Sequence, residues 1–515
     1  MTILTPEQRS SGLEKAGLFL LLVLAVAVRV FFLLKYENMP GFAEENVRRA
    51  LLILENPDLR SNFDGSSSTL YRYAIAGWMY FWRDPILAPK IMTLFFGTAL
   101  IVPYYKTVKV ILGRQNAFFS GFVLVFYTMH AIYSSVTISD AVYYFFLFCS
   151  FYYFFSFLKA EKGKSALWSS AVFLNIAAVL RPEGCFFVPV FCFLLWPRGK
   201  KKALLFGICS MFLPLTYLAL SGIFQNDFFV PFTSPMTVCR LAIQHNSGEG
   251  YDLGLGCWLC VLWRTFDPGF LLAGSLGAIF AFLLRRGSEL SLFLLISFLT
   301  LTVSTSSGWL VVNDRYSIIL GLLLIPYAWF FAEKALWFLG NRKAYILAGL
   351  LVIPAFHFWK ITQHPDLLPS ILPNQICSIP QGVKEVGEWL RQRVGVGERI
   401  IIDADPDDLY PVNIFLRSGL PSKQHLALRM PRPWVKQEAF SDEDGFREHL
   451  LTHQPRYVIL ASNGYLRNVL RFDPGEKRWV AEGLFFENIF EREIENRDMK
   501  YSIYRVSYGR GEGDA

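Results

Sequence analysis

A small set of ionisable residues lies between, or directly next to, long apolar stretches of this sequence. A carboxylate can accept a proton from a reacting hydroxyl or amine, and a guanidinium binds anionic oxygens through two parallel hydrogen bonds. In VLRPEGCF, residues 179–186, both kinds of group break two apolar runs at a proline and a glycine. Ionisable groups in such surroundings are costly unless they face a protein interior or a water-filled cavity, so they indicate a functional site. The acids are Glu44, Glu45, Asp140 and Glu183, and the arginines are Arg181 and Arg315.

Each ionisable residue outside that break also has an ordinary structural explanation. Glu44 and Glu45 would open a helix, where negative charge complements the helix dipole. Asp140 follows a serine and precedes an apolar run, which is also the place of a helix N-cap. Arg315 begins a late apolar run, from which its side chain could snorkel to the membrane interface. These interpretations stay open beside the functional ones.

The composition requires lipid as part of the solvent. Of the 515 residues, 53% are hydrophobic and 16% aromatic, and the mean hydropathy is +0.35. A soluble chain of this length would divide into domains with polar surfaces, yet no long stretch of that kind interrupts residues 17–359. The sequence therefore predicts an integral membrane protein. Its net charge of +8 is spread over short loops rather than gathered on one basic face, which argues against nucleic-acid binding.

About eleven apolar runs are long enough, or nearly long enough, to cross a bilayer. The first contains a single charged residue, Arg29, and follows a polar N-terminus without a small-residue cleavage signal, so we predict that it is retained. The predicted spans are residues 17–34, 91–105, 117–133, 141–158, 167–180, 185–196, 203–220, 269–284, 290–303, 316–332 and 344–359.

Basic residues collect in every second loop between these runs. Lysine and arginine near span ends are retained on the cytoplasmic side, so the alternation fixes an orientation. We predict a multi-pass protein of the inner or plasma membrane with a cytoplasmic N-terminus. Residues 39–90, the turns near Asp140 and Arg315, and everything after residue 360 then lie on the outer side. The basic side holds Lys106, Lys109, Arg114, Lys159, Lys162, Lys164, Arg198, Lys200 to Lys202, Arg285, Arg286, Lys334, Arg342 and Lys343.

The longest early outer segment, residues 39–90, predicts two short helices along the membrane interface. Leucines at positions 51, 52 and 54 stand next to charged residues that include Arg48, as in an amphipathic interfacial helix. Residues 71–82 are rich in aromatic residues of the type that anchors at the interface, and they include Arg72.

Taken together, these motifs resemble the GT-C superfamily. They are an acidic pair in the first outer loop, an acid at the next outer turn, an RPEG break and a late Arg-Tyr pair. Within the superfamily, the chain is similar to the protein O-mannosyltransferase and aminoarabinose-transferase branch. Its members are multi-span glycosyltransferases that take a sugar from a polyprenyl-phosphate carrier and transfer it on the outer face. By helix layout, the resemblance covers about the first two thirds of the chain.

The functional positions of this branch fall on particular residues of the sequence. Its Asp-Glu pair after the first span falls on Glu44 and Glu45, so glutamate stands where aspartate is usual. Its second acid falls on Asp140, and its basic positions fall on Arg181 and Arg315. A Pro-rich stretch expected before the second interfacial helix is replaced by SSSTLYRYAIAG.

The resemblance implies that an acceptor attacks C1 of a sugar linked to a lipid phosphate. Glu44 or Glu45 is the expected base for the proton of the acceptor, and Asp140 would orient an arginine or a sugar hydroxyl, or assist the base. Arginines would stabilise the negative charge on the departing polyprenyl phosphate. The expected substrate-binding residues are Arg48, Arg72, Arg181, Glu183, Arg315 and Tyr316.

The predicted architecture is an all-α polytopic membrane domain over residues 1–360 and a small extracytoplasmic α/β domain over residues 361–515. In the second domain, VKEVGEWLRQRV is typical of an amphipathic helix, and RIIIDAD, RYVILA and KYSIYRV are typical of strands. No histidine or cysteine spacing resembles a metal site, so neither a metal nor another cofactor is expected.

Two other functions fit parts of the sequence. Intramembrane arginines and glutamates also mark transport pathways, so a transporter or flippase of a lipid-linked sugar is one alternative, although the paired halves typical of transporters are missing. A non-catalytic membrane assembly factor is the other, since glutamate replaces aspartate at position 44. The expected partners are a polyprenyl-phosphate-sugar donor, an outer-face acceptor (protein, lipid or glycan) and membrane lipid, but no nucleic acid.

Overall fold

A computed structural model gives the fold of the chain. The residues that it describes are 6–35, 41–58, 63, 69–159, 163–228, 255–265, 268–306, 314–335, 352–363, 380–395, 397–403, 411–419, 425–427, 443–462, 477–481, 484–494 and 499–508.

The chain forms two compact units. One comprises Met1–Lys35, Phe63–Tyr71 and Lys90–Asn374, and the other comprises Tyr36–Asn62, Arg72–Pro89 and Gln375–Ala515. The division into domains 1–360 and 361–515 stays a prediction.

Helices dominate the chain before residue 364. In the first part they are α1 (Pro6–Lys35), α2 (Gly41–Glu55), α3 (Thr69–Phe81), α4 (Leu87–Ala99), α5 (Ile101–Leu112), α6 (Arg114–Phe126), α7 (Thr128–Tyr133), α8 (Asp140–Leu158) and α9 (Lys164–Leu180). They continue with α10 (Phe187–Leu195), α11 (Lys200–Gln225), α12 (Leu255–Thr265), α13 (Pro268–Leu283), α14 (Ser288–Ser306), α15 (Ile318–Ala335) and α16 (Val352–Gln363). Short 3-10 turns occupy Pro182–Phe186, Trp196–Arg198 and Asp314–Ser317.

Six described helical stretches are long and apolar enough to cross a membrane, and they confirm the predicted polytopic α-helical fold. Two shorter apolar helices, Lys164–Leu180 and Pro268–Leu283, match two further predicted spans. The six stretches are Gly12–Lys35, Leu87–Leu112, Asp140–Leu158, Lys200–Gln225, Ser288–Ser306 and Arg315–Ala335.

Two predicted spans differ from the helices in the structure, and a third lies partly outside the described residues. The predicted span 117–133 is broken at Tyr127, whose extended backbone separates α6 from α7. The predicted span 185–196 contains only the nine-residue helix α10, because a 3-10 turn precedes it and another follows it. The predicted span 344–359 is described only from residue 352 onward.

The membrane-spanning unit has an aromatic core. The ring of Phe151 lies 4.8 Å from that of Phe293 and 5.6 Å from that of Phe191, measured between centroids, and the last two rings are 5.0 Å apart. All three side chains are fully buried. This packing joins α8, α10 and α14, and rigid elements of this kind can hold polar groups at their ends.

In the other unit, the described residues near the C-terminus form a six-stranded sheet. Its strands are β1 (Ile400–Ile402), β2 (His425–Ala427), β3 (Tyr457–Ala461), β4 (Arg478–Ala481), β5 (Leu484–Ile494) and β6 (Met499–Tyr508), in the order β2-β1-β3-β6-β5-β4. The pairs formed by β1 are parallel, and the remaining pairs are antiparallel. The helices in this region are α17 (Gln381–Arg393), α18 (Pro411–Ser418) and α19 (Glu443–His453). The predicted α/β composition is confirmed.

Candidate functional site

The ends of two neighbouring helices bring Asp140, Arg181 and Glu183 together in the membrane-spanning unit. Helix α8 begins at Asp140, and helix α9 ends at Leu180 because Pro182 favours an extended conformation at Arg181. The following 3-10 turn places Glu183 two residues beyond Arg181. Glycine is required at position 184, since a Cβ there would lie 2.8 Å from the Cα of Ala178.

Arg181 bridges two carboxylates. Its Nη1 donates to Oδ1 of Asp140, and its Nη2 donates to Oε1 of Glu183 at 2.9 Å. Its Nε donates to the other oxygen of Glu183 at 3.4 Å. The exposed fractions of the side chains are 7% for Arg181, 1% for Asp140 and 23% for Glu183. The interpretation of Asp140 as a helix N-cap is wrong, because Ser139 is the N-cap of α8 and the Asp140 side chain is hydrogen-bonded to Arg181.

Aromatic rings enclose the guanidinium of Arg181. Its Cζ lies 4.7 Å from the ring centroid of Tyr316 and 5.4 Å from that of Tyr143, within the range of cation–π contacts. Arg315 donates from Nη2 to the Tyr316 hydroxyl at 3.1 Å, and its carbonyl accepts from the Tyr144 hydroxyl at 3.3 Å. The side chain of Arg315 is half-buried. Snorkelling to the membrane interface does not explain its contacts with Tyr316 and Tyr144.

Two buried oxygens near this cluster are available for a ligand. Oδ2 of Asp140 and the hydroxyl of Tyr71 have no hydrogen-bond partner among the described residues. Burial and the negative charge of Asp140 together raise the pKa of Tyr71 well above its ordinary value, so the phenol keeps its proton. The structure thus presents one carboxylate oxygen and one hydroxyl that could bind polar groups of a substrate.

Glu183 is held in its ionised form. Burial alone would favour the neutral acid, but the charge of Arg181 and the hydrogen bonds from it, with a smaller effect of Arg315, lower the pKa of Glu183 below its ordinary value. Among the described side chains, the cluster comprises the acids Asp140 and Glu183 and the arginines Arg181 and Arg315.

The other predicted site residues lie in the second unit, on α2 and α3. Arg72 is buried and donates from Nε to Oδ1 of Asn46 at 3.0 Å. Arg48 lies on the same helix as Asn46 and is half-buried. Glu44 and Glu45 occupy the first turns of α2, as predicted, and their side chains lie outside the described residues.

The structure thus brings together Asp140, Arg181, Glu183, Arg315 and Tyr316, all of which were selected from the sequence. It adds three tyrosines that the sequence analysis missed: Tyr71, Tyr143 and Tyr144. Two of them, Tyr143 and Tyr144, could have been selected from the sequence, because residues three and four positions after Asp140 lie on the same face of the helix.

Within the described part of the chain, no three side chains of histidine, cysteine, aspartate or glutamate are placed to share a metal ion. The side chains of Glu44 and Glu45 are not among those described. The expectation of no metal or other cofactor stays a prediction.

Comparison with known proteins finds likeness in structure alone. No protein-family model and no curated protein matches the sequence. ArnT from Cupriavidus metallidurans in the apo state matches with a TM-score of 0.63 and 10% identity, over 95% of this chain and 98% of that one. The same protein bound to undecaprenyl phosphate matches with a TM-score of 0.59 and 11% identity, over 94% and 97% of the two chains.

A more distant structure extends this likeness. The oligosaccharyltransferase of Archaeoglobus fulgidus, in complex with Zn and sulfate, matches with a TM-score of 0.55 and 11% identity, over 86% of this chain and 67% of that one. At such identities the likeness concerns the fold. The helical spans, the C-terminal sheet and these neighbours agree that the chain has a GT-C-like membrane fold.

Proposed function

We propose that this protein transfers a sugar from a polyprenyl-phosphate-linked donor to an acceptor on the extracytoplasmic face of the membrane. The fold is shared with ArnT, which binds undecaprenyl phosphate. A charged cluster inside an apolar helical unit further supports the proposal, because such groups are costly without a function.

The observation that carries the proposal is the hydrogen bonding of the two carboxylate oxygens of Asp140. One of its oxygens is fixed by Arg181, and the other has no partner among the described residues although it is buried. A carboxylate prepared in this way can orient a sugar hydroxyl or assist a base without further rearrangement.

In the proposed reaction, a nucleophilic oxygen or nitrogen of the acceptor attacks C1 of the sugar. The bond between C1 and the phosphate oxygen breaks, and the electron pair leaves with the polyprenyl phosphate. Glu44 or Glu45 accepts the proton of the acceptor. Glutamate carries the same carboxylate as aspartate and can accept the proton in the same way.

The arginines have two different proposed roles, positioning of the carboxylates and binding of the lipid phosphate. Both Nη atoms of Arg181 donate to carboxylates, so we assign it chiefly to fixing Asp140 and Glu183. Arg315, held by the Tyr316 hydroxyl, is proposed to contact the lipid phosphate. Arg48 and Arg72 are proposed as further phosphate contacts, since a guanidinium can bind a phosphate through two parallel hydrogen bonds.

The test uses purified protein in nanodiscs, supplied with undecaprenyl-phosphate-linked sugars and with a membrane extract as the source of acceptor. The release of undecaprenyl phosphate and the labelling of the acceptor are both measured by mass spectrometry. We expect Asp140→Asn, and at least one of Glu44→Gln and Glu45→Gln, to lower transfer by roughly 100-fold or more. Glu289→Gln is the matched control, because Glu289 forms an exposed ion pair with Lys159. Wild-type rates in all three site variants would refute the mechanism.

The same preparation separates the alternative functions. A flippase would move a labelled lipid-linked sugar across vesicles and leave the sugar–phosphate bond intact. An assembly factor would neither cleave nor move it. Either result with well-folded protein would refute the proposed transfer.

A further inference from the structure

The first membrane span contains a fully buried arginine. Arg29 lies on α1 and has no exposed surface. Its Nη1 donates to the carbonyl of Ala25 on the same helix at 3.1 Å, and its Nη2 lies 2.9 Å from Nδ1 of His130. A guanidinium inside an apolar span is costly, so a specific use is expected for it.

The contact with His130 defines one chemical state of the imidazole. A guanidinium has donors only, so Nδ1 of His130 must accept, and the proton of the neutral ring lies on Nε2. His130 is itself 1% exposed. The pair is therefore directional, with Arg29 as donor and a neutral histidine as acceptor.

The backbone of Arg29 also forms a hydrogen bond with the segment that contains His130, residues 128–138. The hydroxyl of Ser135 lies 3.2 Å from the carbonyl oxygen of Arg29 and 3.0 Å from that of Ala131. His130 lies on the short helix α7, and Ser135 lies in the turn that follows it. Residues 128–138 are thus attached to α1 at two points, both of which involve Arg29.

This segment leads directly to the candidate site. It starts at the break at Tyr127, all of its residues are buried, and the chain then enters α8 at Asp140. On its other side it packs closely on α4, since a Cβ at Gly97 would overlap with the Ser134 hydroxyl. The position of Asp140 therefore depends on how this broken helix and buried turn are fixed.

We propose that Arg29 and His130 are positioning residues for the Asp140 carboxylate. The hydrogen bond between them, together with the bond from Ser135, fixes residues 128–138 against the first span and thereby sets the start of α8. An apolar pair at these positions would fill the space without defining the orientation of the segment. The inference rests on the proposed function in one respect, because the proposed function gives Asp140 its part in the reaction.

The test compares variants that keep or remove the acceptor at His130. His130→Leu and Arg29→Leu each remove the hydrogen bond, whereas His130→Asn keeps an oxygen near the place of Nδ1. We expect the leucine variants to lower kcat for sugar transfer by roughly 10- to 100-fold, because small displacements of a catalytic group have effects of this size. The Kd for undecaprenyl phosphate should stay within about twofold, His130→Asn should recover most of kcat, and the double leucine variant should be no worse than either single one.

A second measurement keeps the inference testable if the protein proves to have another activity. Hydrogen exchange of the peptide covering residues 128–140 should increase in His130→Leu and in the milder variant Ser135→Ala. Ser297→Ala is the matched control, since Ser297 is buried and donates only within its own helix. Unchanged exchange in both variants, or unchanged kcat in an active enzyme, would overturn the positioning role. Absence of transfer by the wild type together with increased exchange would refute the proposed function alone.

Discussion

The guanidinium of Arg181 lies over the ring of Tyr316, with Cζ 4.7 Å from the ring centroid. The same ring lies 5.0 Å from Cζ of Arg315, so one aromatic side chain contacts two guanidiniums. Two like charges at such range repel each other. The electron-rich ring, together with the carboxylates of Asp140 and Glu183, offsets this repulsion.

The contacts of Tyr316 predict different effects for its ring and its hydroxyl. Tyr316→Phe keeps both cation–π contacts and loses only the hydroxyl that accepts a hydrogen bond from Arg315, so we expect a loss of roughly two- to tenfold in the rate of the proposed sugar transfer. Tyr316→Leu removes the ring and should cost about 1–2 kcal/mol of stability in addition. Thermal unfolding in detergent and the rate of sugar transfer check both values. If the leucine variant equals the phenylalanine variant in both measurements, the ring has no role in the cluster.

Replacement of Arg181 by lysine tests whether the cluster needs a side chain that bridges Asp140 and Glu183 or only a positive charge. An ammonium group can pair with one carboxylate but cannot reproduce the fork that contacts both Asp140 and Glu183. We expect Arg181→Lys to destabilise the protein by about 1–3 kcal/mol and to lower transfer at least tenfold. Arg286→Lys, at an exposed arginine in a loop, serves as the control. A wild-type rate for Arg181→Lys would show that a point charge is sufficient.

The lowered pKa of Glu183 predicts how stability depends on pH. A carboxyl group with a lowered pKa in the folded state contributes stability that is present above the ordinary glutamate value and is lost as the pH falls through the folded-state pKa. At neutral pH, Glu183→Gln should therefore unfold at a lower temperature than the wild type. The difference should shrink as the pH is lowered, because Glu183 of the wild type then becomes neutral as well. Thermal unfolding of both proteins from about pH 7 to about pH 3 measures this. A difference that stays constant or grows on acidification would contradict the assignment of charge.

Hydropathy predicted much of the fold because a bilayer constrains the length and composition of a span. The predicted span 141–158 corresponds to Asp140–Leu158, and the predicted C-terminal helix corresponds to Gln381–Arg393. The cost of ionisable groups in apolar surroundings likewise selected Arg181 and Glu183. The two helix predictions succeeded because each depends on local composition, whereas the assignment of Arg181 and Glu183 to a functional site stays a prediction.

Features that depend on contacts between distant segments were not predictable. The break at Tyr127 has neither proline nor glycine to mark it, so the sequence suggested one continuous span. Arg29 was visible as a charge in the first span, but nothing in the sequence pairs it with His130, which lies 101 positions away. The enclosure of Arg181 by Tyr316 likewise results from the packing of separate helices.

Close packing of α13 on α15 provides a prediction about stability that is independent of the reaction. A Cβ at Gly277 would overlap with the carbonyl oxygen of Tyr327 and would lie 2.7 Å from its carbonyl carbon. Since a backbone atom cannot rotate away as a side chain can, Gly277→Ala should force the helices apart and destabilise the protein by about 1–3 kcal/mol. At an open helical position the same change should be neutral or stabilising by about 0.5–1 kcal/mol, and Gly12→Ala provides that control because a Cβ there meets nothing within 4 Å. Thermal unfolding and abundance in the membrane distinguish the two variants. Equal stability of Gly277→Ala and Gly12→Ala would mean that α13 and α15 do not approach each other as closely as the structure has them.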